Sequence, residues 1–266
     1  MSTSTETRPV PKKIEDLRES AGTLPSEAPK KSTNFINVDD SIEISLIDYN
    51  RNPYKTMFAT STATWGDNEY KDKWSNTSAE GKLDVIKAVL TNNTLPQARE
   101  MVNFVFRVKG TPRWLFDLHT QTPFTSFMSI GCRDNNKLDA DMIINDSTTK
   151  EQEVLKECKD LYEAVIEEGA GSWQSARTFL PQCYQHSYHF GQNLLSIASM
   201  KIKNDYIKML YDEIITEISV KFPLIACHAI LPILEFDSQK IMLDGISKVK
   251  FNDLDAIDQA LIGRNS

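Results

Sequence analysis

Phe104, Phe106 and Val108 occupy every second position of the run NFVFRVK, and no other feature of the chain limits its fold so tightly. Alternation of this kind gathers large apolar side chains on one face of an extended segment and sends the rest to the other. A sheet with one covered face follows. Gly110 then turns the chain into a segment bracketed by Arg113 and Arg133, which holds Trp114, His119, Gln121, Thr122, Thr125, Ser126 and Ser129. Two arginines around a hydroxyl-rich turn suit a phosphate-bearing ligand, because each guanidinium fork pairs two oxygens at once. The same composition also suits an ordinary strand, turn and surface loop.

Elsewhere strand and helix patterns alternate. Ile42 to Tyr49 reads as a strand ended by Asn50, Asn52 and Pro53, with a helix expected over 54–63. Residues 64–77 carry Trp65 and Trp74 among Asp, Asn and Lys and read as a loop with aromatic anchors. Ser78 caps a helix over 79–90, where Leu83, Ile86, Val89 and Leu90 have helical spacing. Thr148 and Glu151 open another over 150–168, which aligns Leu155, Cys158, Leu161, Tyr162, Val165 and Ile166 on a stripe. Ile207, Leu210, Ile214, Ile218 and Phe222 mark an amphipathic helix over 206–221, closed by Pro223. His228, in the apolar run from Ile225 to Phe236, reads as a core histidine, and a short helix is expected over 254–262.

A chain of 266 residues with 40% hydrophobic content can bury a sizeable core. Residues 1–34 are rich in Ser, Thr, Glu, Lys and Pro, a composition that buries too little apolar surface to order itself. The expected organisation is a flexible tail over 1–34, one domain over 35–235 and a C-terminal extension over 236–266. A net charge of −7 argues against a broad nucleic-acid surface but leaves small phosphorylated ligands open. Cys132, Cys158, Cys183 and Cys227 are widely spaced and form no CxxC pair. Without a signal sequence or a bilayer-length apolar run, the expectation is a cytoplasmic protein with no membrane partner.

The run F-x-F-x-V-x-G-x-x-R, with Glu100 four positions before Phe104, resembles the segment that leads into the signature of the flavin-dependent thymidylate synthases. That signature is Arg-His-Arg, two residues, Ser, one residue, Asn-Glu, one residue, Ser, one residue, Arg. Laid on the sequence it matches Ser126 and Arg133, while Arg-His-Arg falls on Gln121, Thr122 and Pro123, Asn-Glu on Met128 and Ser129, and the second serine on Gly131. A second block, A-R-x-x-L-P, is matched by Ala176, Arg177, Leu180 and Pro181, and the family's N-x-x-S by Asn193 and Ser196. Two blocks in the family's order make the resemblance harder to reach by chance than one. It spans roughly residues 42–223.

The resemblance implies an α+β domain with a mixed β-sheet flanked by long helices, assembled as a homotetramer with sites between subunits. It also implies transfer of a one-carbon unit to C5 of a pyrimidine deoxynucleoside monophosphate, with FAD, methylenetetrahydrofolate and NADPH as cofactors. By the same likeness Arg133, Arg177, Ser129 and Gly131 border the nucleotide. Glu100, Gln121, Ser126, Asn193 and Ser196 border the flavin. Arg177 and His119 are then the catalytic candidates, His119 as acid or base between the two arginines. The changed signature leaves open whether the base is uracil or cytosine and whether the product carries a methyl or, as in hypermodified viral DNA, a hydroxymethyl group. It also leaves open a non-catalytic homologue that keeps the fold as a nucleotide-binding or assembly subunit.

Bland readings stand beside these. Arg113 is equally suited to pair with Asp117 one helical turn on, and Arg177 with Glu167 or Glu168. Cys183, His186 and His189, spaced C-x-x-H-x-x-H, offer zinc-type donors that a helical turn would bring together. No fourth ligand lies nearby, so no metal is assigned. His186 or His189 then serves as a polar pocket residue.

Overall fold

Hiding one face of the Phe104–Val108 strand takes two further layers of structure, and most of the chain supplies them. The computed structural model describes residues 35–37, 42–63, 70–91, 95–121, 125–129, 140–144, 147–167, 176–200, 202 and 205–247. In chain order the elements are β1 (Phe35–Asn37), β2 (Glu43–Tyr49), α1 (Pro53–Thr62), α2 (Tyr70–Asn76), α3 (Ala79–Thr91), α4 (Pro96–Glu100), β3 (Asn103–Gly110) and α5 (Pro112–Gln121). Then come β4 (Ser126–Ser129), β5 (Met142–Ile144), α6 (Thr149–Glu167), β6 (His186–Asn193), α7 (Leu194–Ala198), α8 (Asp205–Lys221) and α9 (Phe236–Ser247). The chain divides into two compact units. The larger comprises Ile36–Ser129, Ile143–Asn145 and Gln182–Ser266; the smaller takes in Ile130–Met142 and Asp146–Pro181 with the N-terminal residues.

In the larger unit a four-stranded sheet has the order β2-β3-β6-β4. Each of its pairings is antiparallel, so the α+β class is as expected while the sheet is not mixed. Register follows the alternation. Leu46, Phe106, Phe190 and Phe127 lie in one row across the inner face, and Ser45, Arg107, His189 and Met128 in the next row across the outer face. The inner face is closed by helices: Leu118 of α5 and Ile207, Leu210, Ile214 and Ile218 of α8 join Phe104, Phe106 and Val108 in one core, all fully buried. Phe222, at the end of α8, packs edge-on against Tyr49 with centroids 4.9 Å apart. Burying each such ring contributes about 1.5–3 kcal/mol, which makes this face the main source of the unit's stability.

Helix termini behave as their sequences demand. Asn52 caps α1, its Oδ1 accepting the Lys55 N–H at 2.8 Å, and the Ser78 hydroxyl accepts the Gly81 N–H at the start of α3. In the smaller unit Thr148 and Glu151 close a reciprocal box at the start of α6: Thr148 N–H donates to Glu151 Oε2 (2.6 Å) and Glu151 N–H to Thr148 Oγ1 (3.3 Å). Those bonds to Thr148 hold the Glu151 carboxyl below its ordinary pKa. Lys159 is buried there with its ammonium donating to the Ala140 carbonyl at 2.9 Å.

Three readings of the sequence change. Residues 70–76, read as part of a loop, form α2, because Trp74 packs edge-on against Phe58 (5.2 Å) and beneath the Lys82 ammonium (4.8 Å). The stripe on α6 is only partly covered: Tyr162 is buried, but Leu161 stays exposed. Residues 236–247, read as the start of an extension, form α9, which packs on α8 and buries Met242 in the main core. The tail over 1–34 and the helix over 254–262 lie outside the described residues.

Candidate active site

β6 leaves the sheet at Asn193, and the manner of its leaving builds one end of the site. Asn193 has extended backbone (φ −85°, ψ 162°), so its Oδ1 reaches forward to accept the Ser196 N–H at 2.8 Å and caps α7. The cap uses the oxygen end of the side chain and leaves any ligand contact to the amide nitrogen. Leu194 N–H donates to the Val102 carbonyl at 2.8 Å, and α7 packs on α4, whose last residue is Glu100. Glu100, exposed, and Asn193, buried, thus belong to the same end of the sheet.

On the far side of β6 lies β4. Ser126, exposed, pairs with Gly191 on the outer face. A Cβ on Gly191 would meet its nearest neighbours, the Phe104 and Ser126 carbonyl oxygens, at ordinary distances of 3.8 and 3.9 Å. The outer face thus carries no side chain at Gly191, between Ser126 and Val105 and beside Asn193, and packing does not require that absence. Residue by residue, the structure brings Ser126 of the first block and Asn193 of the second to within two positions of each other across one strand pair.

The inner face of the same pair is partly open. Phe127, paired with Phe190, is 47% exposed, and the His119 ring at the end of α5 meets it edge-on with centroids 4.9 Å apart. Ser129 pairs with Tyr188 and is half-buried. His119 is exposed. Arg113 takes the structural option: its Nε donates to Asp117 Oδ2 at 3.2 Å, and its guanidinium lies over the Phe116 ring.

Other expected residues are placed differently. Ser196 is buried, with its backbone N–H closing the cap. Arg177 starts a single 3-10 turn in the smaller unit and is exposed. Gln121 ends α5, and its side chain is outside the description. Gly131 and Arg133 lie outside the described residues. His186 and His189 sit on a strand, three positions apart, and so point to opposite faces, His186 buried and His189 exposed. The helical turn that would have joined them as metal ligands is not formed. Among the described residues no group of His, Cys, Asp and Glu is arranged to hold a metal ion.

Sequence reasoning missed three buried polar groups. Arg99, next to Glu100 on α4, is 6% exposed, and burial holds its guanidinium below the ordinary arginine pKa. Tyr188 is buried with no hydrogen-bond partner for its hydroxyl among the described residues, and burial pushes its pKa upward. Gln192 is 1% exposed; its Nε2 donates to Thr125 Oγ1 at 3.2 Å and its Oε1 has no partner among the described residues. Alternation alone signals that His186, Tyr188, Phe190 and Gln192 share the inner face of one strand.

The fold is similar to that of solved structures of a UMP/dUMP methylase and a thymidylate synthase. PolB, a UMP/dUMP methylase from Streptomyces cacaoi bound with 5-Br dUMP, superposes with a TM-score of 0.59 at 13% identity, over 73% of this chain and 96% of that one. Thymidylate synthase X from Helicobacter pylori with FAD and dUMP superposes with a TM-score of 0.52 at 12% identity, over 77% of this chain and 99% of that one. At these identities the likeness is one of fold. A search of curated protein sequences finds no match. The profile of the thymidylate synthase complementing proteins matches residues 45–202, and the chain belongs to that family.

Proposed function

We propose that the protein transfers a one-carbon unit from methylenetetrahydrofolate to C5 of a pyrimidine deoxynucleoside monophosphate, with FAD as reductant and NADPH as the source of hydride. Family membership over residues 45–202 and solved relatives described with dUMP and FAD support the reading. The observation that carries it is the juxtaposition of Ser126 with Gly191 and Asn193 across the β4–β6 pair. Uracil is the favoured base, since both of those relatives are described with uracil nucleotides or their 5-bromo analogue.

The groups on the outer face at this end fit the polar edge of a flavin ring: the Ser126 hydroxyl and the Asn193 amide nitrogen left over from the cap. A bound flavin supplies reducing equivalents. In this chain Ser126, Asn193 and Glu100 would border it, while Arg133 and Arg177 would hold the nucleotide phosphate, each as a permanent planar cation. His119 would take up or return a proton at its imidazole. Ser129 and Gly131 would border the nucleotide on the β4 side. Assembly as a homotetramer would let arginines of neighbouring subunits complete each pocket, in the cytoplasm where the nucleotide pool lies.

One feature favours a second reading. Gln121, Thr122 and Pro123 stand where the family has Arg-His-Arg, and the loss of charge suits a nucleotide-binding or assembly subunit without catalysis. Colour separates the two: an enzyme purifies yellow or becomes yellow with added FAD, and a subunit of the second kind stays colourless. Thermal shift then tests the nucleotide, because a ligand that binds only the native state raises its melting temperature. The reading expects a shift with dUMP that is larger than with dCMP and is lost in Arg133→Ala. An intact shift in Arg133→Ala removes Arg133 from the phosphate site.

A further inference from the structure

The Gln192 carboxamide is one of the buried polar groups with an atom that has no hydrogen-bond partner among the described residues. It lies on the inner face of β6, between Phe104 on β3 and Thr125 beside β4, and is 1% exposed. Its nitrogen is used by Thr125 Oγ1, while its oxygen has no partner among the described residues. A buried carbonyl left unpaired is destabilising, and an apolar residue of the same length would avoid the cost. Phe127 lies diagonal to Gln192 on the same face and is 47% exposed beside His119.

We propose that Gln192 is a specificity-determining residue whose Oε1 accepts the ring N–H of an imide edge, in a ligand that enters over Phe127. An imide N–H flanked by two carbonyls is common to uracil and to the isoalloxazine ring, whereas cytosine presents an unprotonated ring nitrogen at the equivalent position. A free acceptor therefore selects uracil over cytosine, or holds the flavin in one orientation. The inference rests on the reading of this end of the sheet as a nucleotide and flavin site. Turning the amide over would free a donor instead, and that orientation would favour cytosine.

The test compares wild type with Gln192→Met, which keeps length and apolar volume but offers no comparable acceptor. Each is titrated with dUMP, dCMP and N3-methyl-dUMP, and separately with FAD and N3-methyl-FAD. The wild type is expected to lose about tenfold or more in affinity on N3-methylation of one of the two ligands. Gln192→Met is expected to bring that ratio within about twofold while melting no lower than wild type, since it removes an unpaired polar atom. Loss in the dUMP pair assigns the contact to the substrate, and loss in the FAD pair assigns it to the flavin. A wild type indifferent to N3-methylation in both pairs overturns the proposal even if the variant does not fold. So does a ratio unchanged in Gln192→Met, or a wild type that prefers dCMP and is indifferent to N3-methylation of FAD. A wild type that binds neither dUMP nor FAD refutes the functional reading itself, a separate result.

Discussion

β3 and β6 lie side by side in the same sheet, face the same helices, and use their inner faces for different purposes. The inner residues of β3, Phe104, Phe106 and Val108, are apolar and fully buried. Those of β6 are His186, Tyr188, Phe190 and Gln192, equally hidden, yet all but Phe190 carry polar atoms, and Tyr188 Oη and Gln192 Oε1 have no partner among the described residues. Equal burial thus covers unequal chemistry. β3 stabilises the unit, and β6 gives up part of that stability to keep hydrogen-bonding capacity beside the β4 end of the sheet.

The largest effect expected from this contrast is at Phe106, where truncation to alanine leaves a ring-sized cavity against Phe190 (centroids 5.1 Å apart). Phe106→Ala should lower unfolding free energy by about 3–5 kcal/mol in a denaturant titration. On β6, Tyr188→Phe should not destabilise at all: removing an unpaired hydroxyl should leave the midpoint unchanged or raise stability by about 1 kcal/mol. A loss of 2 kcal/mol or more there would show that the hydroxyl is partnered and would break the comparison. Asn193→Ala, at the end of β6, should cost about 1 kcal/mol through the lost cap and weaken flavin binding as well. Met128→Ser, exposed on the outer face, should stay within about 0.5 kcal/mol of wild type.

A pH titration sharpens the contrast between buried and paired groups. Burial and the nearby Lys87 hold the His228 pKa below its ordinary value. Neutral imidazole is thereby favoured in the native state, so the stabilisation is complete above the unfolded pKa near 6.5 and is lost as pH falls through the lower native value. His228→Gln should flatten the slope of stability against pH just below 6.5 and leave stability above pH 7 little changed.

The sequence made some of this legible and hid the rest for identifiable reasons. Period-two alternation located the core face of β3, and period 3.6 located α3 and α8, because each run is long enough to repeat its period. The caps at Ser78 and Thr148 were equally readable, since capping is local chemistry. α2 was not readable: seven polar and aromatic residues show no periodicity, and it is held by the tertiary contact of Trp74 with Phe58. Cys183, His186 and His189 misled for a related reason, because donor spacing has meaning only once helix or strand is known. Ser126 and Asn193 were nominated by motif, but their meeting across β4 and β6 depends on a pairing between segments more than fifty residues apart, which no local pattern reveals. The unpaired oxygen of Gln192 is a property of the packed structure alone.

Substitution at C5 of a pyrimidine must release the proton that C5 carried, so dUMP labelled with tritium at that carbon reports the chemistry directly. Incubated with FAD, NADPH and methylenetetrahydrofolate, the purified protein is expected to release tritium to water and to form a C5-methylated product, in amounts that fall with Asn193→Ala. Protein that binds FAD and dUMP yet releases no tritium under these conditions would contradict the account of this chain as a one-carbon transferase.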